Sequence, residues 1–201
     1  MAAMSSRLDA WQALKADTYR EFGRYQWWLV LKGFVLRRTF RPLLTLRLSQ
    51  KCLDYPIPVQ TLLLPVMRSL HRIMCHWAGM DLPWKTSIGA GLSLTHGWGL
   101  VVSPGAVIGR NVTIFHGVTL GRRDRIASNG VRTPGYPTIE DEVWIGPHAI
   151  IVGDIVVGRG SRIAGGACVF TSVPPYSVVV GNPGDIVKSN CTPDVPHQAT
   201  F

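Results

Sequence analysis

The sequence predicts a mainly β fold, a parallel β-helix preceded by an α-helical N-terminal region. After residue 81 aliphatic residues recur at every sixth position, whereas before Gly79 the apolar residues follow a helical period. A chain of 201 residues is long enough for one buried core with a helical appendage. We therefore expect a helical region over 1–80, a β-helix over 81–188 and a flexible tail over 189–201.

The N-terminal region is predicted to form four helices. Ser5 or Ser6 can cap the first, which carries Trp11 and Leu14 along one side. Gly79 is a natural stop for the last helix, since glycine tolerates the left-handed backbone that ends many helices. The other predicted helices cover three stretches: Trp27–Leu36, Pro42–Cys52 and Val59–Trp77.

The six-residue period predicts the shape of the second region. Three such units make one triangular coil of about 18 residues, and the aliphatic side chains then stack inside a prism. An ordinary β-sandwich would show alternation with turns about 8 to 12 residues apart. A polar segment over 121–138 interrupts the period and is expected to leave the prism wall as a loop. The thirteen positions that share the period are Ile88, Leu94, Leu100, Val102, Ile108, Ile114, Leu120, Ile139, Ile145, Ile151, Val157, Ile163 and Val169.

The composition of the chain indicates which kinds of partner it can bind and in which compartment it is found. The net charge of +9 favours acidic partners such as phosphates, anionic sugars or an anionic lipid surface, but no nucleic-acid-binding module accompanies it. No signal peptide or membrane-spanning stretch is visible, so we expect a cytoplasmic protein. Four scattered cysteines without a CxxC motif predict neither a metal site nor disulfides.

The first helices mix aromatic and basic residues. The aromatic residues Trp27, Trp28, Phe34 and Phe40 alternate with lysine and arginine. Such a mixture suits a membrane interface, and packing against the prism or another subunit explains it equally well. Peripheral contact with the inner face of the plasma membrane is therefore an open expectation.

Four segments carry a resemblance to a known family: residues 81–102, 111–121, 137–169 and 173–187. They include "DLPWKTSIGAGLSLTHGWGLVV", "NVTIFHGVTLG" and "VPPYSVVVGNPGDIV". The sequence resembles the hexapeptide-repeat acyltransferases, within them the serine acetyltransferase and polysaccharide (colanic acid, capsule-type) O-acetyltransferase branch. The resemblance implies a left-handed β-helix and an acetyl-CoA-dependent enzyme.

The resemblance also implies a catalytic pair. In that branch an aspartate lies fifteen residues before a catalytic histidine, and Asp81 and His96 keep this spacing. The histidine removes the acceptor's hydroxyl proton as the oxygen attacks the thioester, and the aspartate orients the imidazole ring. Donors to the developing oxyanion are not identified by the sequence.

Two further histidines are weighed beside this pair. His96 and His116 each follow a period position by two residues, so they should lie on the same wall of neighbouring coils, about 4.8 Å apart. His116 is a candidate for acceptor binding or base assistance, or else a packing residue. His148 follows its period residue by three, and its direction is less defined.

The implied assembly is a homotrimer, with a dimer of trimers left open, in which acetyl-CoA lies in the groove between neighbouring prisms. No metal is expected. The family has alanine and a basic residue after the proline of its C-terminal turn, where this chain has Gly184 and Asp185. The expected cofactor contacts are Gly146, Ala149, Gly165, Gly166, Arg162 and Lys188, with Arg159 as a further basic candidate.

The acceptor is predicted from what the loop lacks. Serine acetyltransferases carry an Arg-His pair at the positions of Gly135 and Tyr136. Without that pair the sequence favours a sugar or glycan hydroxyl, on an exopolysaccharide, capsule or lipid-linked oligosaccharide. The expected acceptor contacts are Tyr136, Arg132 and Arg123. Serine O-acetylation in cysteine biosynthesis is the alternative.

The sequence gives less support to two other functions. A zinc-dependent carbonic anhydrase can be built on such a prism, but it needs a histidine pair five residues apart, and Gly121 stands five after His116. A non-catalytic β-helix would not need the spacing of Asp81 and His96, although fold alone does not fix function.

Overall fold

The computed structural model, which describes residues 9–200, confirms the predicted fold class: α-helices precede a parallel β-helix. The first helix begins after Asp9, whose carboxylate accepts a 3.0 Å hydrogen bond from the amide of Trp11. Ser5 and Ser6 lie outside the described residues. A 3₁₀ turn at Cys52–Asp54 separates the last two helices. The helices are α1 (Ala10–Phe22), α2 (Trp27–Leu36), α3 (Phe40–Lys51) and α4 (Ile57–Ala78).

The β-helix has three walls of short parallel strands. Wall 1 contains β1 (Ser87–Ile88), β4 (Val107–Ile108), β9 (Thr138–Ile139) and β12 (Val156–Val157). Wall 2 contains β2 (Ser93–Leu94), β5 (Thr113–Ile114), β10 (Trp144–Ile145), β13 (Arg162–Ile163) and β15 (Val178–Val180), with β16 (Asp185–Lys188) added antiparallel. Wall 3 contains β3 (Val101–Val102), β6 (Thr119–Gly121), β11 (Ile150–Val152) and β14 (Cys168–Val169).

The thirteen period positions fill the inside of the prism, and every one of them is buried. Twelve of them lie in strands and stack in register along the walls, whereas Leu100 lies in the corner before β3. Ile145, for example, pairs with Ile114 on one side and Ile163 on the other. The predicted loop over 121–138 leaves the wall after β6. It forms an antiparallel hairpin of β7 (Arg123–Ile126) and β8 (Arg132–Gly135).

One corner of the first coil is longer than the others. Leu94 and Val102 are eight positions apart, whereas their partners in the next coil, Ile114 and Leu120, are six apart. Two extra residues are therefore placed in the corner that contains His96. The only trace of the longer corner in the sequence is that the six-residue period stops at Leu100 and starts again at Val102.

The N-terminal helices close the open end of the β-helix through a buried ion pair. Asp17 on α1 and Arg47 on α3 lie 2.8 Å apart, and their side chains are 0% and 1% exposed. Arg47 also donates to the carbonyls of Ile88 and Gly89, at 2.9 and 2.6 Å. The carboxylate of Asp17 accepts from two backbone amides one corner further on, those of Gly91 and Leu92. Backbone groups that no earlier coil can pair are thus satisfied by side chains.

The aromatic residues of the first helices divide between core and surface. Phe40 is buried and packs edge-on against Phe22, with ring centroids 6.3 Å apart. Trp27 is 77% exposed. No helix among residues 9–200 is long and apolar enough to cross a membrane. Contact of the remaining exposed aromatics with lipid stays a prediction.

The segment 189–200, for which the sequence predicted flexibility, packs against the prism in the structure, and Phe201 lies outside the described residues. Residues up to Thr200 pack back along the prism towards α1, and Cys191 and Ala199 are buried. The side-chain amide of Asn111 exchanges two hydrogen bonds with the backbone of Ala199, at 2.9 and 3.1 Å. Arg20 of α1 donates to the carbonyl of Pro196. Partners far away in the sequence hold this segment, which its composition does not reveal.

Replacing Asp17 should destabilise the protein strongly. Asp17→Asn keeps the side chain's shape but leaves the buried guanidinium of Arg47 without its counter-ion, so the free energy of unfolding should fall by about 3–5 kcal/mol. Urea denaturation measures it. Asp54→Asn removes the exposed partner of Lys51 and should leave the free energy of unfolding nearly unchanged. A loss for Asp17→Asn as small as that of this control would contradict the capping role.

Candidate active site

One edge of the prism collects half of the candidate residues. It is the corner between walls 2 and 3, and we call it the His96 edge: residues 95–100, 115–118, 146–149, 164–167 and 181–184. Consecutive coils are joined along it by backbone hydrogen bonds. These run from the amide of Gly117 to the carbonyl of Trp98, from His148 to His116, and from Gly166 to Pro147, at 2.7 to 2.9 Å.

Three histidines form an array on this edge. The ring centroids of His96 and His116 are 5.9 Å apart, and those of His116 and His148 are 4.9 Å apart. The first two histidines thus lie on neighbouring coils, as their spacing predicts. His148 completes the array because Gly117 leaves room for its ring: a Cβ at Gly117 would lie 2.2 Å from Nδ1 of His148. Nδ1 of His116 is buried and has no hydrogen-bond partner among residues 9–200, whereas His96 is exposed.

A cavity of about 300 Å³ lies beside His96, between the prism and the helices. Glu21 of α1 faces it and forms a 3.1 Å ion pair with Arg37. Burial raises the pKa of Glu21 above its ordinary value, and the charge of Arg37 opposes this rise. Acidic and basic groups therefore stand together next to a histidine that is open to solvent. The cavity is lined by Glu21, Leu36, Arg37, Arg38, Thr39, Leu94, Thr95 and His96.

Asp81 lies at the start of wall 3. It pairs with Val101 in a parallel bridge and is exposed on the outside of the prism. Among residues 9–200 no hydrogen bond or ion pair joins Asp81 to His96. Asp81 instead borders a second cavity, beside Arg68 and Trp84. Its orienting role towards His96 stays a prediction.

The three predicted acceptor contacts lie at a different corner, between walls 3 and 1. The ring of Tyr136 covers Gly105. The side chain of Arg132 lies 3.9 Å from Asp124 in the hairpin, and that of Arg123 lies 5.8 Å from the ring centroid of Phe170. Within one chain these residues are not brought together with His96.

Of the predicted cofactor contacts, the glycines lie along the His96 edge. Gly166 has a φ of +71° and open space where a side chain would stand, and Gly165 packs closely over Pro147. Gly146 approaches the backbone of Gly165 so closely that a Cβ on it would lie 2.6 Å from that residue's nitrogen. Gly146 is itself buried, so the edge presents exposed, bare backbone on one coil, at Gly165 and Gly166.

The other cofactor candidates differ in their accessibility. Ala149 is fully buried, and its amide and carbonyl are both bonded within the prism, so its side chain cannot reach a ligand. Arg162 donates to the carbonyl of Thr192 at 2.9 Å, and Arg159 forms a 2.6 Å ion pair with Glu142. Lys188, in β16, is exposed.

Comparison with known proteins agrees with this architecture. Residues 136–171 match the family model "Bacterial transferase hexapeptide (six repeats)". The Neisseria gonorrhoeae serine acetyltransferase in complex with serine superposes with a TM-score of 0.67 at 30% identity, covering 89% of this chain and 69% of that one. The chain belongs to the hexapeptide-repeat transferase family.

Other hexapeptide-repeat transferases extend the comparison. The serine acetyltransferase of Brucella abortus strain S19, in complex with coenzyme A, has a TM-score of 0.64 at 29% identity and covers 92% of this chain and 68% of that one. The serine acetyltransferase of Bacillus licheniformis is 38% identical over 125 residues, which is 62% of this chain. The chain spans 56% of the length of that relative.

Sequence reasoning missed the cavity residues of this hexapeptide-repeat transferase. Glu21, Arg37 and Arg38 lie more than fifty positions before His96, and their basic members were interpreted as part of a membrane or packing surface. The one available signal was the longer corner after Leu94, which marks a place where the prism departs from its period. Such departures in regular folds often carry functional residues.

Proposed function

We propose that the chain is an acetyl-CoA-dependent O-acetyltransferase whose acceptor is the hydroxyl of L-serine. The observation that carries this proposal is the cavity beside His96, which combines guanidinium groups with a carboxylate. A free amino acid presents the complementary pair of charges. The proposal is supported by the similar proteins, which are serine acetyltransferases, one in complex with serine and one with coenzyme A.

The expected glycan acceptor is wrong. The relatives at 38% and 30% identity are serine acetyltransferases, which favours the alternative over the polysaccharide branch. The error came from the absence of the Arg-His pair at Gly135 and Tyr136, which was interpreted as the loss of any means of binding a carboxylate. We propose that a basic group for that purpose stands instead on the helical side of His96, at Arg37.

The proposed chemistry is direct transfer with His96 as the base. The imidazole takes the hydroxyl proton of serine while the hydroxyl oxygen attacks the thioester carbonyl carbon of acetyl-CoA. The new C–O bond forms, the C–S bond breaks, and its electron pair leaves with sulfur. His96 then returns the proton to give the free thiol. His116, whose ring lies next to that of His96, assists at the same place.

Recognition of serine follows from the charges of the cavity. Arg37 is 59% exposed and offers free N–H groups to the carboxylate, while Glu21 attracts the ammonium group. The two side chains already face each other at 3.1 Å. Bound zwitterionic serine would replace the ion pair between Glu21 and Arg37 by two ion pairs, one with each side chain. Its hydroxyl would be directed towards His96.

The cofactor is proposed to lie along the His96 edge. From the coil of His96 to the turn at 181–184 there are four steps, about 19 Å at the usual strand spacing. An extended acetyl-CoA molecule can lie along the edge over this distance and contact the bare backbone of Gly165 and Gly166. We place Tyr136, Arg132 and Arg123 on a neighbouring subunit of a homotrimer, whose loop would close over this edge, because one chain separates them from His96.

Removing the proposed base should nearly abolish turnover. His96→Ala should lower kcat by about 10²–10⁴-fold, since a general base contributes this much. Release of free thiol from acetyl-CoA with L-serine measures the rate. His76→Ala, an exposed histidine of α4, is the matched control and should keep wild-type turnover. Equal rates for His96→Ala and wild type would rule out His96 as the base.

Acceptors that lack one charge should be poorer substrates. Ethanolamine has no carboxylate and 3-hydroxypropionate has no ammonium group, so each should lower kcat/KM about 10- to 100-fold relative to L-serine. Arg37→Ala should lower kcat/KM for L-serine and leave kcat/KM for ethanolamine unchanged. Arg24→Ala, which replaces an exposed arginine, is its control. Turnover of neutral sugars without turnover of serine would overturn the proposed acceptor.

Filling the edge at Gly166 should weaken cofactor binding. Asparagine tolerates the left-handed backbone better than most residues, so Gly166→Asn should fold and raise the KM for acetyl-CoA by occupying the edge. Gly130→Asn is the matched control, because Gly130 has a φ of +80° and equally open surroundings but lies in the hairpin turn. If the KM for acetyl-CoA is unchanged in both variants, the cofactor does not bind at this part of the edge.

A further inference from the structure

We propose that Arg38 is a positioning residue for His96, which fixes the corner that presents the catalytic imidazole. This inference rests on the proposed function, and it assigns a role to a residue that touches neither substrate. Arg38 lies in the short connection between α2 and α3, 58 positions before His96 in the sequence. Its guanidinium group meets the corner from the helical side.

Three contacts tie Arg38 to this region. Its two terminal nitrogens donate to the backbone carbonyls of Ala78 and His96. Its guanidinium carbon lies 3.8 Å from the ring centroid of Trp98, the distance of a stacked cation–π pair. One side chain thus joins the end of α4 to the residues at and after the base.

The corner needs such support because it is longer than its neighbours. His96 has a φ of +62° and is followed by two glycines with positive φ, at positions 97 and 99. Its carbonyl accepts a second hydrogen bond of 2.8 Å from the amide of Trp98. Left-handed backbone at a residue with a side chain persists where the surroundings hold it.

Trp98 is held from both sides. Its ring packs against Gly79, where a Cβ would lie 2.2 Å from the ring, and Arg38 covers it. The amide of Gly99 also donates to the carbonyl of Gly79 at 2.7 Å. The corner is therefore clamped between the end of α4 and Arg38, so the orientation of His96 depends on both.

Arginine suits this place better than lysine. A planar guanidinium can donate to two carbonyls in its own plane and stack on an indole at the same time, whereas an ammonium group cannot. Burial also lowers the pKa of Arg38 from its ordinary value, as expected for a cation partly enclosed by protein.

The test compares Arg38 with a nearby arginine, Arg41, in the first turn of α3. Arg38→Lys should lower kcat about 10- to 100-fold, because small displacements of a catalytic group have effects of this size. The KM values for serine and acetyl-CoA should stay close to wild type, since the binding groups are unchanged. Arg41→Lys is the matched control: Arg41 also donates to two carbonyls, those of Phe34 and Val35, but does not reach the corner. Its kcat should match wild type.

Each outcome decides the inference. Wild-type kcat in Arg38→Lys would overturn it, and a rise in KM at constant kcat would assign Arg38 to substrate binding instead. If thermal unfolding shows that Arg38→Lys does not fold, Trp98→Leu and Trp98→Phe replace it, because only phenylalanine keeps the stack. A lower kcat in Trp98→Leu that Trp98→Phe restores supports positioning, and equal rates overturn it.

A failure of the proposed function can be distinguished from a failure of the positioning role of Arg38. A wild-type protein that releases no thiol with serine would refute the function itself. The imidazole proton signals of His96, identified by their loss in His96→Ala, then test Arg38 without turnover. They should shift or broaden in Arg38→Lys and not in Arg41→Lys. Unchanged signals in both variants would overturn the positioning role.

Discussion

The whole molecule depends on how the open end of the β-helix is closed. A parallel β-helix begins with a coil that has no predecessor, and its outward backbone groups would be left without partners. Here the buried pair of Asp17 and Arg47 supplies them: the arginine donates to the carbonyls of Ile88 and Gly89, and the aspartate accepts from the amides that follow. Two charges that are costly to bury are thereby satisfied by each other and by backbone.

This cap also determines the geometry of the candidate site. Glu21 lies one turn after Asp17 on α1, so both side chains project from the same face of that helix. Once Asp17 is fixed on the first coil, Glu21 is carried to the cavity beside His96. Arg20, between them, donates to Gly91 and Thr113, and burial lowers its pKa to about 10. The helix that carries the cap therefore also supplies one side of the cavity, at Glu21.

The sequence predicted what depends on local periodicity. The six-residue repeat placed each buried position correctly, because the period itself requires that these side chains point inward. The ends of α2 were predicted to the residue, and those of α3 and α4 within about two. The relation between His96 and His116 followed from the same counting.

What the sequence could not give were contacts between distant segments. The reach of Arg38 to His96, the docking of Ala199 on Asn111, and the corner at which Tyr136 stands depend on three-dimensional packing rather than on spacing. The acceptor was mispredicted for a related reason. A missing motif at one position carries no information about charges that another element supplies elsewhere in the fold.

The docked C-terminal segment has a consequence for how the chain matures on the ribosome. α1 is synthesised before the prism, but Arg20 and Asn111 meet their partners at Pro196 and Ala199 only after the entire prism has emerged. The first helix must therefore wait for some of the last residues before its surroundings are complete. Nascent chains stalled before this segment would leave Arg20 and Asn111 without their partners in it.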